Sequence, residues 1–429
     1  MVEMAGIARR AVFTGVGLIT PVGSTPAAYW ESLCAGRSGI RRISCVDPSE
    51  LFSQIGGETP DFIPKKIISN KEHLKGLRLM ARTVQMGLAS SHLAFQNSGL
   101  ELGKFDPERA GVEFGAGMIA SELDDIGKGA QVSLEPSKDS VSLAVWGEKG
   151  LKEVPPLWML KYLPNMPSCH TSITLDLRGP SNTITGSDAA SLLALSEAYH
   201  ILLRDGADLF FAGGAESKMN PLSLTRHNLF QELSRRNHEP ETAVKPFDRD
   251  RDGSVLGEAA GCVVLEELSH AKARGARIDG ELVGFASGVD CDRDGKGFAL
   301  VIRRALKQAG IGPNDVDHVN AQGHGTVRGD RWEARAINDV FGTNTPVWSI
   351  KANIGASGAA SSMVELIGSI LALKHGQLPP TLNHVNPDPE CPVWVHNRGL
   401  RPVTKPYAVK MSFTDAGQIA VAVIRKWEE

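Results

Sequence analysis

The sequence predicts an α/β protein, and three observations carry the prediction. Short β-branched and apolar runs alternate with segments of helical periodicity along most of the chain. Several of these runs end in glycines and lead into helical patterns, which points to mostly parallel sheets covered by helices. The alternation also recurs on both sides of Leu268, compatible with an internal repeat, although the two stretches share too little identity to show one.

At 429 residues the chain is long enough for two or three average domains, or for two halves sharing one core. A formal net charge of −3 gives no footing for nucleic acid or for an acidic membrane surface. Six scattered cysteines without C-x-x-C spacing argue against a zinc site or a disulfide framework and fit a reducing cytoplasm. No cleavable leader pattern and no 18-residue apolar run is present, so no membrane span is expected.

Taken in order, residues 10–23 read as an apolar strand leaving through a Gly/Pro turn, and 26–35 as a short helix. Lys65, Lys66, Lys71, Lys75 and Arg78 cluster in 65–79 among few acids. A solvated helix face is the plain reading, and a docking patch for an acidic partner the functional one. A helix is expected over 82–96, a strand ending in glycines over 111–118, and an insertion loop or lid over the poorly patterned 121–155. The G-x-G turns are no dinucleotide fingerprint, because no acidic residue follows at the distance a βαβ unit needs. A strand over 182–185 turns through Gly186 into a helix over 189–203, with Cys169 at the start of the strand leading there. A buried strand follows at 208–216. Beyond Leu268 the pattern predicts strands over 278–285, 316–321, 347–350 and 407–413, and helices over 296–310, 332–340 and 363–375.

The stretch Thr183-Ile184-Thr185-Gly186-Ser187-Asp188-Ala189-Ala190-Ser191 is a strand-turn-helix elbow. It holds a side chain in a tight turn at a helix N-terminus, where free N–H groups favour negative charge. Ser187 or Asp188 before a helix is first of all an N-cap.

Arg178-Gly179-Pro180-Ser181 precedes the elbow. Downstream runs Lys245-Pro246-Phe247-Asp248-Arg249-Asp250-Arg251-Asp252-Gly253-Ser254-Val255-Leu256-Gly257-Glu258-Ala259-Ala260-Gly261. Together these resemble the β-ketoacyl-acyl-carrier-protein synthases of the elongating type, and the resemblance runs from about Arg10 to Arg425. It implies the thiolase-like fold: two similar α/β halves, 1–268 and 269–429, stacked as a five-layered core. It also implies a dimer, with 157–165 and 182–185 among the dimer-forming elements, an acyl carrier protein as partner and no cofactor. The basic 65–79 segment then becomes a candidate carrier-docking patch.

Decarboxylating condensation needs a thiolate to take the acyl chain, N–H donors for the oxyanion, and imidazoles that assist loss of CO₂. The resemblance places these three side chains at the elbow and in two later loops, and all three are changed. Asp188 stands at the cysteine position. Gln322 stands at the first histidine position and Ala356 at the second. Lys351 and Glu365 remain. Ser187, His324, Thr326, Phe413 and Asp415 complete the expected pocket, with Asp415 where the resemblance implies a phenylalanine gate.

Asp188 cannot replace a thiolate, Gln322 cannot shuttle a proton, and Ala356 does neither. Three readings follow. The chain is a non-condensing partner of an active synthase, like a chain-length factor, although those proteins carry glutamine where Asp188 stands. Or it is a repurposed enzyme using Asp188, Asp415 and His324 as an acid/base set with Lys351 as countercharge; a metal on those three is a sub-case lacking ligand spacing. Or it is a scaffold that binds an acyl carrier or its chain. If Asp188 and Asp415 both face the pocket, two like charges need an answer from helix N–H groups, Lys351 or His324.

Overall fold

Two sets of five strands with the same internal order form the main run of a twelve-stranded sheet, which two short strands, Ile40–Arg42 and Ile55–Gly57, join from the side. The computed structural model describes residues 9–68, 70–137 and 139–428. The first set is β1 (Ala11–Ile19), β2 (Ala110–Ala116), β3 (Ser181–Ile184), β4 (Leu209–Ser217) and β5 (Leu256–Glu267). The second is β6 (Gly280–Val289), β7 (Val316–Asn320), β8 (Val347–Trp348), β9 (Tyr407–Phe413) and β10 (Gln418–Arg425). They lie in the order β8-β7-β9-β10-β6-β1-β5-β4-β2-β3. Each set therefore reads third, second, fourth, fifth, first from its outer edge inward. A repeat that identity between the segments does not show is plain in the topology.

The expectation of mostly parallel sheets needs correction. The outer junctions β8·β7, β7·β9, β4·β2 and β2·β3 are parallel. The inner ones, β9·β10, β10·β6, β6·β1, β1·β5 and β5·β4, are antiparallel. Parallel neighbours need helical crossovers, whereas β9 and β10 are joined by a tight turn, and a turn can only reverse direction.

The main helices are α1 (Pro26–Cys34), α2 (Arg82–Ser98), α3 (Met166–Leu175), α4 (Ala190–Leu203), α5 (Pro221–Phe230), α6 (Lys296–Ala309), α7 (Val327–Phe341) and α8 (Ser361–His375). Helices α4 and α8 are apolar nearly all round; every residue of α8 from Ser361 to Leu373 is buried. Such a helix has no solvent face and belongs inside. Both pack in one core with β1, β5, β9 and β10, where each fully buried Leu or Ile contributes about 1.5–3 kcal/mol. By contrast α6 and α7 are amphipathic and cover the outer face of the second set.

Residues 121–155 are not a featureless loop. They hold a helix, Leu123–Val132, and a second helical stretch from Leu143 to Glu153 that passes through a wide π turn at Trp146–Gly150. Cys169 lies in α3, not at the start of a strand; β3 begins only at Ser181. The predicted strand over 347–350 is two residues long, and the chain turns helical at Lys351–Ile354. Segment 65–79 is two short 3₁₀ turns flanking the helix Lys71–Gly76. Lys65, Lys66, Lys75 and Arg78 are exposed there, and the side chain of Lys71 lies outside the described residues. Among the described residues no helix is long and apolar enough to cross a membrane.

Candidate functional site

The elbow forms because β3 ends against the start of a buried helix. Ser187 takes φ 46°, a left-handed conformation that a non-glycine residue rarely holds, and a short 3₁₀ turn over Ser187–Ala189 feeds α4. The first turn of α4 presses on Gly115 of β2 and Gly214 of β4. A Cβ on Gly115 would come within 2.4 Å of Ser191 N, and one on Gly214 within 2.6 Å of Ser191 Cβ. Hydroxyls of Ser362 on α8 and Ser412 on β9 each donate to the Asp188 carbonyl at 2.8 Å. Elements from both halves of the sheet thus clamp Asp188 in place.

Its carboxylate is no helix cap, because no side chain caps this helix start. Ser187 Oγ donates to Asp188 Oδ2 at 3.1 Å, and Oδ1 lies 3.4 Å from His324 Nε2 without a hydrogen bond of its own. Burial pushes the Asp188 carboxyl up, but His324, Lys218 and Lys351 outweigh it and hold the group below the usual carboxylate range.

The loop after β7 brings in Gln322 and His324. Glu333 on α7 accepts the Gln322 and Gly323 N–H groups at 2.7 and 2.8 Å. Burial pushes Glu333 up to about 7, against the pull of those two donors. Asp330 accepts the N–H groups of Phe247 and Gly325, and burial pushes it up to about 6. These two carboxylates fold the loop so that His324 faces Asp188. Gln322 Nε2 sits 2.9 Å from His324 Nε2, and the Gln322 amide also bonds the Phe413 backbone in both directions.

A cavity of about 630 Å³ opens over this group, within the usual range for ligand pockets. Asp188, His324, Thr326, Ala356, Phe413 and Asp415 line it, while Gln322 lies behind His324. Thr326 precedes α7, but Glu232, not Thr326, accepts the Val327 N–H there. Ala356 is fixed by bonds between its backbone and Val255 and Gly257.

One expected role does not hold and another is indirect. Asp415 is exposed on the turn between β9 and β10, so it is not a second buried charge beside Asp188. The turn closes from Gly417 N–H to Thr414 carbonyl and leaves Asp415 exposed where it lines the open cavity. Lys351 is no direct partner of Asp188: its ammonium lies 2.6 Å from Glu365 Oε1, and Lys410 lies 2.6 Å from Glu365 Oε2. All three are fully buried, so the pairs are needed to hold the charges there. Nor is the metal sub-case supported, since no group of three or more His, Cys, Asp or Glu among the described residues could hold an ion. Sequence reasoning missed Lys410 and also Lys218, a buried lysine on the cavity wall one residue beyond β4. No spacing rule marks either; only folding brings them to the site.

Strand order, elbow and central buried helices define a thiolase-like α/β scaffold with a pocket at the elbow. Residues 8–271 match the family model described as Beta-ketoacyl synthase, N-terminal domain, and 279–385 that of the C-terminal domain. The chain belongs to the beta-ketoacyl synthase family of fatty acid and polyketide formation. It is 35% identical to a 3-oxoacyl-[acyl-carrier-protein] synthase 2 of Coxiella burnetii (strain RSA 493 / Nine Mile phase I), over 89% of this chain and 90% of that protein. Among solved structures it resembles the ishigamide ketosynthase/chain length factor, with TM-score 0.85, 29% identity and coverage of 98% and 100%. It also resembles AntDE:AntF, a type II PKS acyl-carrier protein in complex with its ketosynthase, with TM-score 0.83, 25% identity and coverage of 98% and 100%.

Proposed function

We propose that this chain keeps the scaffold of a β-ketoacyl synthase without its condensing chemistry and serves as a chain-length-factor-like partner of an active synthase. One observation carries the reading. The side chain held at the elbow is a buried carboxylate facing an imidazole, and no cysteine among the described residues lines the cavity. Counted from Arg178-Gly179-Pro180-Ser181, Asp188 takes the place of the nucleophile, with Gln322 and Ala356 in place of the two imidazoles. A carboxylate is a poor nucleophile towards a thioester, and Gln322 is occupied with the Phe413 backbone. Loss of one member of a group that acts as a unit costs on the order of 10³–10⁶ in rate.

In this reading the halves are 1–268 and 269–429. The partner surface runs along the edge strand β3, whose Ser181 and Asn182 are exposed, and past the exposed apolar side chains Leu157 and Met159. Acyl carrier protein is the second partner, as in the names of the synthase and the complex that this chain resembles.

The test is a condensation assay with malonyl- and acyl-carrier thioesters. The chain alone takes no acyl label and releases no CO₂, Asp188→Cys alone restores neither, and mixing with an active family member gives a dimer with altered product length. Condensation by the unmodified chain overturns the reading.

A second reading is favoured by the Asp188–His324 contact: a repurposed hydrolase in which His324, beside Asp188, takes a proton from a water that attacks the acyl thioester carbonyl, and the C–S bond breaks to give the acid and the protonated thiol. Release of free thiol from an acyl-pantetheine, abolished by His324→Ala, would support it over the first.

A further inference from the structure

The outer wall of the elbow cavity is more basic than the protein that carries it. Arg328, Arg331 and Arg335 line the cavity from α7 at positions i, i+3 and i+7, which lie on one helix face. Arg293 lines it from the loop before α6, and that loop packs on Arg335: a Cβ on Gly295 would sit 3.1 Å from Arg335 Cβ. Arg331 is paired with Glu390. Arg293, Arg328 and Arg335 are exposed and have no ion pair or hydrogen bond to a side chain or carbonyl among the described residues. Phe230, the last residue of α5, lines the same cavity while 81% exposed. An exposed phenylalanine alone is ordinary. Here the ring shares a concave wall with three free guanidinium groups.

We propose that this wall binds the adenine nucleotide end of a coenzyme A thioester, with the pantetheine arm running inward towards Asp188 and His324. The inference rests on the second reading above, in which the pocket takes an acyl thioester, and names the carrier of that thioester. Guanidinium forks match phosphate oxygens bidentately, and the nucleotide offers a diphosphate and a 3′-phosphate to meet them. A flat ring beside the arginines suits a purine, which stacks on aromatic faces. An acidic carrier protein would press on a broad outer surface, such as the exposed Lys65, Lys66, Lys75 and Arg78, and needs no aromatic ring inside the cavity. Deeper in, Asp188 Oδ1 is buried without a hydrogen-bond donor and lines the cavity, ready to accept from an amide N–H or hydroxyl of the arm.

Calorimetric titration of the full chain with coenzyme A, 3′-dephospho-coenzyme A, pantetheine and phosphopantetheinylated carrier protein tests this. Coenzyme A binds at least roughly tenfold more tightly than pantetheine, with dephospho-coenzyme A between them. The double variant Arg328→Ala/Arg335→Ala loses that tenfold and leaves pantetheine binding unchanged; Phe230→Ala weakens coenzyme A alone. These side chains are exposed, so circular dichroism of the variants should match the unmodified chain. Equal affinity for coenzyme A and pantetheine overturns the nucleotide site and leaves the pocket reading standing. Arginine variants that weaken only the carrier protein assign the wall to that partner instead. Absence of binding by every thiol-arm compound overturns the acyl-thioester pocket as well.

Discussion

Gln322 Nε2 lies 2.9 Å from His324 Nε2, and the amide cannot be turned round to suit the ring. Gln322 Oε1 accepts from Phe413 N–H at 2.8 Å, while Nε2 donates to the Phe413 carbonyl at 3.1 Å. The NH₂ end must therefore face the imidazole, and Nε2 of His324 must accept. That nitrogen can serve Gln322 as an acceptor or Asp188 as a donor, but one nitrogen cannot do both at once. Gln322 sets the tautomer with its proton on Nδ1.

Removal of the amide should therefore change both stability and ring chemistry. Gln322→Leu leaves the Phe413 N–H and carbonyl without partners and should cost about 1–3 kcal/mol in a urea titration. Nitrogen-15 NMR of His324 should move from the Nδ1–H tautomer towards a form with a proton on Nε2. An unchanged spectrum would show that Gln322 does not govern the ring.

Asp188 should leave a mark on acid stability. Its folded-state pKa lies below the ordinary value, so its contribution is complete above about pH 4 and is lost as pH falls through the lowered folded value. Asp188→Asn should be less stable than the unmodified chain near neutrality, with the gap closing in acid. Chemical denaturation at several pH values reads the gap directly; a gap that widens in acid would reverse the assignment.

Glu113 on β2 should act in the opposite sense. Its carboxyl is buried with both oxygens unpartnered, and burial, reinforced by Glu197, pushes it up to about 8. A carboxyl raised in the folded state gives stability that is complete below about pH 4 and declines as pH rises through the folded value. Glu113→Gln should flatten the decline between mildly acidic and alkaline pH. Parallel slopes for both proteins would place the titration elsewhere.

The buried set Lys351–Glu365–Lys410 should tolerate no half-removal. Glu365→Gln leaves two lysines with no carboxylate between them, and a cost of about 3–5 kcal/mol is expected. A thermal midpoint within a degree of the unmodified chain would mean that the lysines find water or give up their protons.

Much of the fold was legible in order. The strand at Arg10 and the following residues, the elbow at Gly186 and the buried helix before His375 carry local periodicity and turn chemistry that survive folding. Residues 121–155 were not legible as helices, because that stretch contains Gly127, Gly129, Gly147 and Gly150, which weaken the pattern the packed structure then imposes. The parallel or antiparallel sense of each strand was also out of reach, since it depends on how far the chain travels before it returns.

By itself the sequence determined the α/β alternation, the elbow and the residue types offered at each loop, because strand period, helix period and glycine turns act over a few neighbours. Tertiary structure alone decided which charges meet. Lys351 faces Glu365 rather than Asp188, Asp415 lines the cavity while exposed, Lys218 reaches the cavity, and Phe230 joins the arginines of α7. Coulomb attraction and burial depend on distances between segments remote along the chain, and those distances exist only once the two sets of strands close around α4 and α8.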